Sequence, residues 1–227
     1  HCLLDINDYE IVKHLGSGSY GDVFLVRDKT THFEFAAKVP KNVCFDANGK
    51  VFEAINYIKE VNVMSIFNHG AIAKLYGYCL KDFESNDKCV VIMENVPNGD
   101  LQKVINIDGN GGSIDGWDQT QKLINLYGIA SGMAYSVSYG ITHCDLKPEN
   151  ILMTMNLRPK ITDFDSARIE SDENTQGFNM TGQEIYSPLF SSPEVIECDD
   201  DYTKYAEKSD VYSYSLIAYE IITGRIP

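Results

Sequence analysis

Between residues 8 and 39 apolar and polar positions alternate with a period of two. Residues 9–15 and 23–27 flank a glycine-rich turn and residues 33–39 follow Thr30 and Thr31, which predicts three strands. Over 51–67 the period lengthens: Ile55, Ile58, Val61 and Met64 recur at helical spacing, with Phe67 on the same face. Two further strands are predicted at 73–80 and 89–93, joined by a polar turn at 82–88. Pro97, Asn98 and Gly99 break this pattern, and helical spacing dominates afterwards, the longest stretch being 118–139. Residues 106–116 are polar and glycine-rich and predict a loop, 151–153 and 160–162 predict short strands, and 208–223 predict a helix. Residues 170–192 are polar without periodicity, a length usually functional or disordered. Residues 1–8 carry no pattern. The expected architecture is α+β and bilobal: a small strand-rich lobe with one helix over 1–96 and a mainly helical lobe over 97–227, hinged near 94–97.

Composition narrows the class. The chain has 227 residues, 44% of them hydrophobic, enough for a sizeable core. No apolar run reaches the length of a membrane span and no export signal opens the chain, so a soluble, cytoplasmic protein is expected. The six cysteines form no C-x-x-C pair, which argues against zinc and suits reduced thiols. A formal charge of −14 argues against nucleic-acid binding.

Three segments carry chemistry. Gly16-Ser17-Gly18-Ser19-Tyr20-Gly21-Asp22-Val23 lacks Cβ atoms where backbone would approach a phosphate. A flexible hairpin turn fits it equally, but the strand that follows favours a lid over phosphates against a strand-to-helix dinucleotide site. Lys38, in the apolar run Ala36-Ala37-Lys38, is either an edge-strand charge or a buried cation. Glu60, between Ile58 and Val61, offers it a partner that would hold its ammonium on a nucleotide's phosphates. In the loop after Ile141, Asp145, Lys147 and Asn150 place a carboxylate, an ammonium and an amide together. Such groups can accept a proton, stabilise a transferring phosphoryl group and ligate a metal; a polar turn is the plain alternative. Asp163, after an apolar run, would join Asn150 in holding Mg²⁺.

Taken in order, these segments resemble the eukaryotic protein kinase superfamily. Residues 16–23 resemble its glycine-rich loop, Ala36-Ala37-Lys38 the end of V-A-I-K, and Glu60 the glutamate of the first helix. His143-Cys144-Asp145-Leu146 with Asn150 resembles H-R-D-L-x-x-x-N, Asp163-Phe164-Asp165 resembles D-F-G, and Ser192-Pro193-Glu194 resembles A-P-E. The run from Asp210 to Ser215 is similar to the family's D-V-W-S-F-G. The resemblance implies a protein kinase fold and transfer of the γ-phosphoryl group of ATP, with Mg²⁺, to a protein hydroxyl. It implies Gly16, Gly18 and Gly21 over the phosphates, Val23, Ala36 and Leu152 around the adenine, and Met93 as gatekeeper. Glu94, Asn95 and Val96 would form the hinge, with Asp100 toward the ribose. Asp145 would be the base, Lys147 a contact to the γ-phosphate, Lys38 and Glu60 the ion pair, and Asn150 and Asp163 the metal ligands. Met64, Leu75, His143 and Phe164 would form an apolar spine. Lys147 and Ser187 resemble serine/threonine kinases, and the runs 74–79 and 132–135 are similar to the tyrosine-kinase-like branch of that type.

Three departures stand out. Cys144 replaces the Arg before the catalytic Asp, which removes the usual partner of a phosphate on Ser171, Thr175, Thr181, Tyr186 or Ser187. Asp165 replaces the glycine of D-F-G, where backbone freedom is expected to matter. The chain opens without Met and ends just after the helix headed by Asp210, where the family normally continues. A longer parent protein, an incomplete second lobe, uncovered apolar surface and a poorly stable fragment are expected. The alternatives are a pseudokinase or nucleotide-binding scaffold, and a small-molecule kinase; the latter generally lacks the Ser-Pro-Glu segment.

Overall fold

A computed structural model describes residues 2–18, 21–41, 53–169, 187–196 and 206–227. The chain divides into two compact units. The first comprises His1–Asn68 and Ala73–Val96, the second His69–Ile72 and Pro97–Pro227.

The alternating run of the first unit forms strands β2 (Tyr9–Ser17), β3 (Gly21–Asp28) and β4 (Glu34–Pro40), followed after helix α1 (Glu53–Ile66) by β5 (Leu75–Lys81) and β6 (Asp87–Glu94). These five pair antiparallel, and β1 (Cys2–Leu3) adds a parallel edge to β5, in the order β1-β5-β6-β4-β3-β2. Register sets what each face carries. Phe24 lies opposite Ala37, and Ala37 opposite Ile92; these side chains join Val26, Val39, Cys79 and Val90 in one buried cluster. One residue along, Val23 lies opposite Lys38, Lys38 opposite Val91, and Ala36 opposite Met93, on the other face. Because side chains alternate, a slip of one residue would exchange the two sets.

The patternless N-terminal residues complete the first cluster. Leu4 N–H donates to the Tyr78 carbonyl, Asp5 caps a 3₁₀ turn at Ile6–Asp8, and Ile6 is buried in the cluster with Tyr9. In α1, Glu60, Val61, Val63 and Met64 are buried. The predicted core positions Ile55 and Ile58 have side chains outside the described residues.

In the second unit α2 (Leu101–Gly109) runs further than predicted, into the segment expected to be a loop. Asp100 caps its start by accepting from the Lys103 N–H, and Asn110 closes its end on the Asn106 carbonyl. Helix α3 (Gln119–Val137) starts at the cap Asp118. Gly128 and Gly132 share a face of α3 and lie under Pro159 and Ile161, where a β-carbon would come within 2.7 and 2.8 Å of those side chains. That close approach seats β9 (Pro159–Ile161), the partner of β8 (Ile151–Met153), and β9 leads to Asp163. Short strands β7 (Ile141–Thr142) and β10 (Arg168–Ile169) pair around the segment between them. A short helix α4 (Pro193–Ile196) precedes α5 (Ala206–Thr223), the predicted last helix. The predicted phosphate acceptors Ser171, Thr175, Thr181 and Tyr186 lie outside the described residues.

Candidate active site

The first unit supplies a buried ion pair. Lys38 Nζ donates to both carboxylate oxygens of Glu60 at 3.0 Å, with the two side chains 11% and 1% exposed. Burying such charges costs several kcal/mol per ion, so the symmetric geometry is what makes the pair tenable. Gly16 lies opposite Val23 across the β2–β3 hairpin, and the Gly18 N–H donates to the Gly21 carbonyl. Met93 and Val96 are buried. Glu94 is tied to the residue before β5, its N–H donating to the Lys74 carbonyl and its carboxylate accepting from the Lys74 N–H.

The second unit gathers the loop residues around Asp145. Lys147 Nζ donates to Asp145 Oδ2 at 2.7 Å, and Asn150 Nδ2 donates to the same oxygen at 3.1 Å and to the Asp145 carbonyl at 2.8 Å. The other oxygen, Oδ1, accepts from the Ser187 hydroxyl at 3.2 Å, and Ser187 Oγ accepts from Lys147 Nζ at 2.9 Å. Residues 40 and 42 positions apart thus close one network. Both amide protons of Asn150 are spent on Asp145, which leaves its amide oxygen turned to other partners. Among the described residues no hydrogen bond reaches that oxygen, which suits a hard cation. Thr162, next to Asp163, donates its N–H to the Asn150 carbonyl at 3.0 Å.

Asp163 adopts the left-handed conformation, φ 66° and ψ 58°, which a non-glycine residue holds only at a cost. Asp165 does not: it lies in the 3₁₀ turn Phe164–Ser166 and is absent from the positive-φ residues. The aspartate that replaces glycine therefore meets no left-handed strain here. Leu152 bridges Asp100, but the Asp100 carboxylate is engaged in capping α2 and in an ion pair with Lys103 Nζ at 2.8 Å.

The loop is supported by His143, expected from the sequence beside Phe164, and by Asp210, whose contact with it the sequence did not mark. His143 is fully buried and packs against Phe164 with ring centroids 4.6 Å apart and the rings tilted by 50°. Its Nε2 faces the Thr162 carbonyl, an obligate acceptor, so Nε2 carries the proton, and Nδ1 is free to accept from the Asp145 N–H. Asp210, 4% exposed at the start of α5, accepts from the His143 N–H at 2.8 Å and from the Cys144 N–H at 3.0 Å. Burial pushes the Asp210 carboxyl above its ordinary range, while His143 and these two N–H groups oppose the shift. Cys144 also holds φ +66°, so Asp210 fixes a strained backbone immediately before Asp145. In the sequence Asp210 stood as the first residue of the run similar to D-V-W-S-F-G, and nothing there marked its contact with this loop.

Residues 9–227 match the family described as Protein kinase domain. The chain belongs to this family. The kinase is 30% identical to an Aurora kinase of Saccharomyces cerevisiae over 99% of this chain and 55% of that protein. It is 31% identical to cysteine-rich receptor-like protein kinase 25 of Arabidopsis thaliana over 96% of this chain and 30% of that protein. It is also 31% identical to human tyrosine-protein kinase FRK, over 99% of this chain and 41% of that protein. The chain thus spans about half or less of these relatives' lengths. Among the described residues no helix of the kinase is long and apolar enough to cross a membrane.

Proposed function

We propose that this kinase transfers the γ-phosphoryl group of ATP to serine or threonine hydroxyls of proteins. The observation that carries the reading is the Ser187 hydroxyl held between Asp145 and Lys147. A hydroxyl on a short side chain there engages both the base and the ammonium, as the acceptor hydroxyl of a substrate must. In this reading the acceptor gives its proton to Asp145 Oδ1 while its oxygen bonds to the γ-phosphorus. The bond from that phosphorus to the β–γ bridging oxygen breaks, and ADP leaves. Lys147 and Asn150 occupy Oδ2, which orients the carboxylate and leaves Oδ1 for the proton. Lys147 also balances charge on the phosphoryl group. Asn150 and Asp163 would hold Mg²⁺, which supplies charge neutralisation on the phosphates when bound.

Within the first unit, Lys38, held by Glu60, is assigned to the phosphates, and Gly16, Gly18 and Gly21 to their cover. Val23 and Ala36 are assigned to the adenine, Met93 to the gatekeeper position, and Glu94 and Val96 to backbone hydrogen bonds with the base. Asp100 reaches the ribose only by giving up Lys103. The test is phosphate transfer from ATP and Mg²⁺ to a generic protein substrate by the intact protein and its Asp145→Ala variant. Phosphoserine and phosphothreonine are expected, with transfer about 10²–10⁴-fold lower in the variant. Phosphotyrosine as the product, or undiminished transfer, overturns the reading.

A further inference from the structure

Of the predicted phosphate acceptors, Ser187 alone lies among the described residues, and its hydroxyl meets the groups assigned to phosphoryl transfer. Its backbone fixes it there. The Ser187 carbonyl accepts from the Phe190 N–H at 2.9 Å, the Ser191 N–H at 3.1 Å and the Ser191 hydroxyl at 3.1 Å. The Phe190 carbonyl in turn accepts from the buried Ser213 hydroxyl on α5 at 2.7 Å. None of these bonds uses the Ser187 hydroxyl, so the turn presents that hydroxyl to Asp145 without engaging it.

A hydroxyl has one proton and two lone pairs. Ser187 gives its proton to Asp145 Oδ1, the oxygen that Lys147 and Asn150 leave open, and one lone pair to Lys147 Nζ. Among the described residues no further hydrogen bond reaches the Ser187 oxygen, which leaves its second lone pair for an electrophile. Lys147 Nζ, assigned to the γ-phosphate, lies 2.9 Å from that oxygen. A phosphoryl group bound to this ammonium is therefore a neighbour of the Ser187 oxygen, with the base already on the proton that must leave.

We propose that Ser187 is phosphorylated by the active site of its own molecule, and that the phosphate shuts that site. The inference rests on the function proposed above. The Ser187 oxygen bonds to the γ-phosphorus and the bond from that phosphorus to the β–γ bridging oxygen breaks. The hydroxyl proton passes to Asp145 Oδ1 and ADP leaves. The new phosphoserine carries a charge of about −1.5 to −2 at neutral pH. It draws Lys147 away from Asp145, repels the Asp145 carboxylate and fills the place of an incoming acceptor. Before the event a substrate hydroxyl competes with Ser187 for Oδ1; after it, none can enter.

The test starts from intact protein stripped of phosphate by a phosphatase that is then removed. It is incubated with ATP and Mg²⁺ at several protein concentrations. Occupancy of Ser187 is read by peptide mass spectrometry, and transfer to a generic protein substrate is read in parallel. Phosphoserine at 187 should accumulate with a first-order rate constant that is the same at every protein concentration, and transfer to the substrate should fall in step with the unmodified fraction. Excess substrate should slow the filling of Ser187. Ser187→Thr keeps an acceptor and should acquire phosphothreonine at 187 and the same decline. Ser187→Ala keeps the carbonyl contacts of the turn but has no acceptor, and should lose the decline whatever its initial rate; wild type and Ser187→Thr decide the case if it transfers nothing. A labelling rate that scales with protein concentration, or substrate transfer that stays constant as Ser187 fills, overturns the proposal. Ser187 left unmodified while the substrate is phosphorylated overturns this inference alone. No transfer to either overturns the function proposed above and this inference with it.

Discussion

Lys38 and Glu60 each neutralise a charge that is almost wholly removed from water. Removing one takes the ion-pair partner from a buried charge, which in buried pairs costs about 3–5 kcal/mol. Lys38→Met should therefore lower the midpoint of chemical denaturation as well as abolish phosphate transfer, and the double variant with Glu60→Leu should recover stability without activity. A Lys38→Met protein as stable as wild type would show that the pair is not dry. Asp210 calls for a different test, because among the described residues its hydrogen bonds come from backbone N–H groups. Asn at 210 offers one acceptor where two N–H groups now point, and its amide would face the His143 or Cys144 N–H. A stability loss of about 1–3 kcal/mol is expected. Because those N–H groups set the strained backbone before Asp145, kcat should fall with KM for ATP little changed; a change confined to KM would contradict the assignment. Asp145, Lys147 and Asn150 were legible because they lie within six positions of one another in a recognisable loop. Asp210 as a support was not, since it meets His143 across 67 positions and nothing local marks that contact.

At the scale of elements, Gly128 decides how closely α3 and β9 approach. Replacing a helix-interior glycine by alanine ordinarily gains about 1 kcal/mol. Here the new β-carbon would lie 2.7 Å from Pro159 Cγ and 3.3 Å from Cδ, and a proline ring cannot rotate away. Overpacking costs about 1–3 kcal/mol and should win, so Gly128→Ala is expected to melt below wild type. A higher melting temperature would mean that β9 yields freely. The turn between β5 and β6 rests on Asp82, which accepts from the Glu84 and Asn86 N–H groups and pairs with Lys88 at 3.0 Å. Burial alone would raise the Asp82 carboxyl, but hydrogen bonds from Asn86, Lys88 and Glu84 hold it below the ordinary range. Its folded value thus lies below its unfolded one, so its contribution is present above the unfolded value and is lost as pH falls through the folded value. Asp82→Ala should be about 1–3 kcal/mol less stable than wild type at neutral pH, and the gap should close below about pH 4. A gap independent of pH would assign the loss to packing. Strands β2 to β6 and helix α3 were legible because their periods are clean. Helix α2 was cut short by reading Asn106 to Gly109 as loop composition, when the Asp100 cap and tertiary burial of Val104 and Ile105 carry the helix through.

Over the whole molecule, 33 acidic residues against 19 basic ones leave a charge of −14. Composition alone could not show where that charge acts, since a soluble surface and a preference for cationic partners look alike in a sequence. The structure commits some acidic groups internally: Glu60 to Lys38, Asp82 to Lys88, Asp100 to Lys103, Asp108 to Lys122 and Asp145 to Lys147. Each of those pairs is neutral, so they remove equal numbers of both signs and the excess of 14 remains unbalanced. A long-range field of that sign should draw a lysine- and arginine-rich peptide and repel an acidic one of equal length. Screening over about 8–10 Å at physiological salt should then erase most of the difference. Phosphorylation of serine-containing basic and acidic peptides, measured from low to high ionic strength, should show KM rising with salt for the basic peptide and falling for the acidic one. Parallel slopes would mean that the excess charge lies too far from the acceptor to steer it, and that local contacts around Asp145 and Ser187 alone select the substrate.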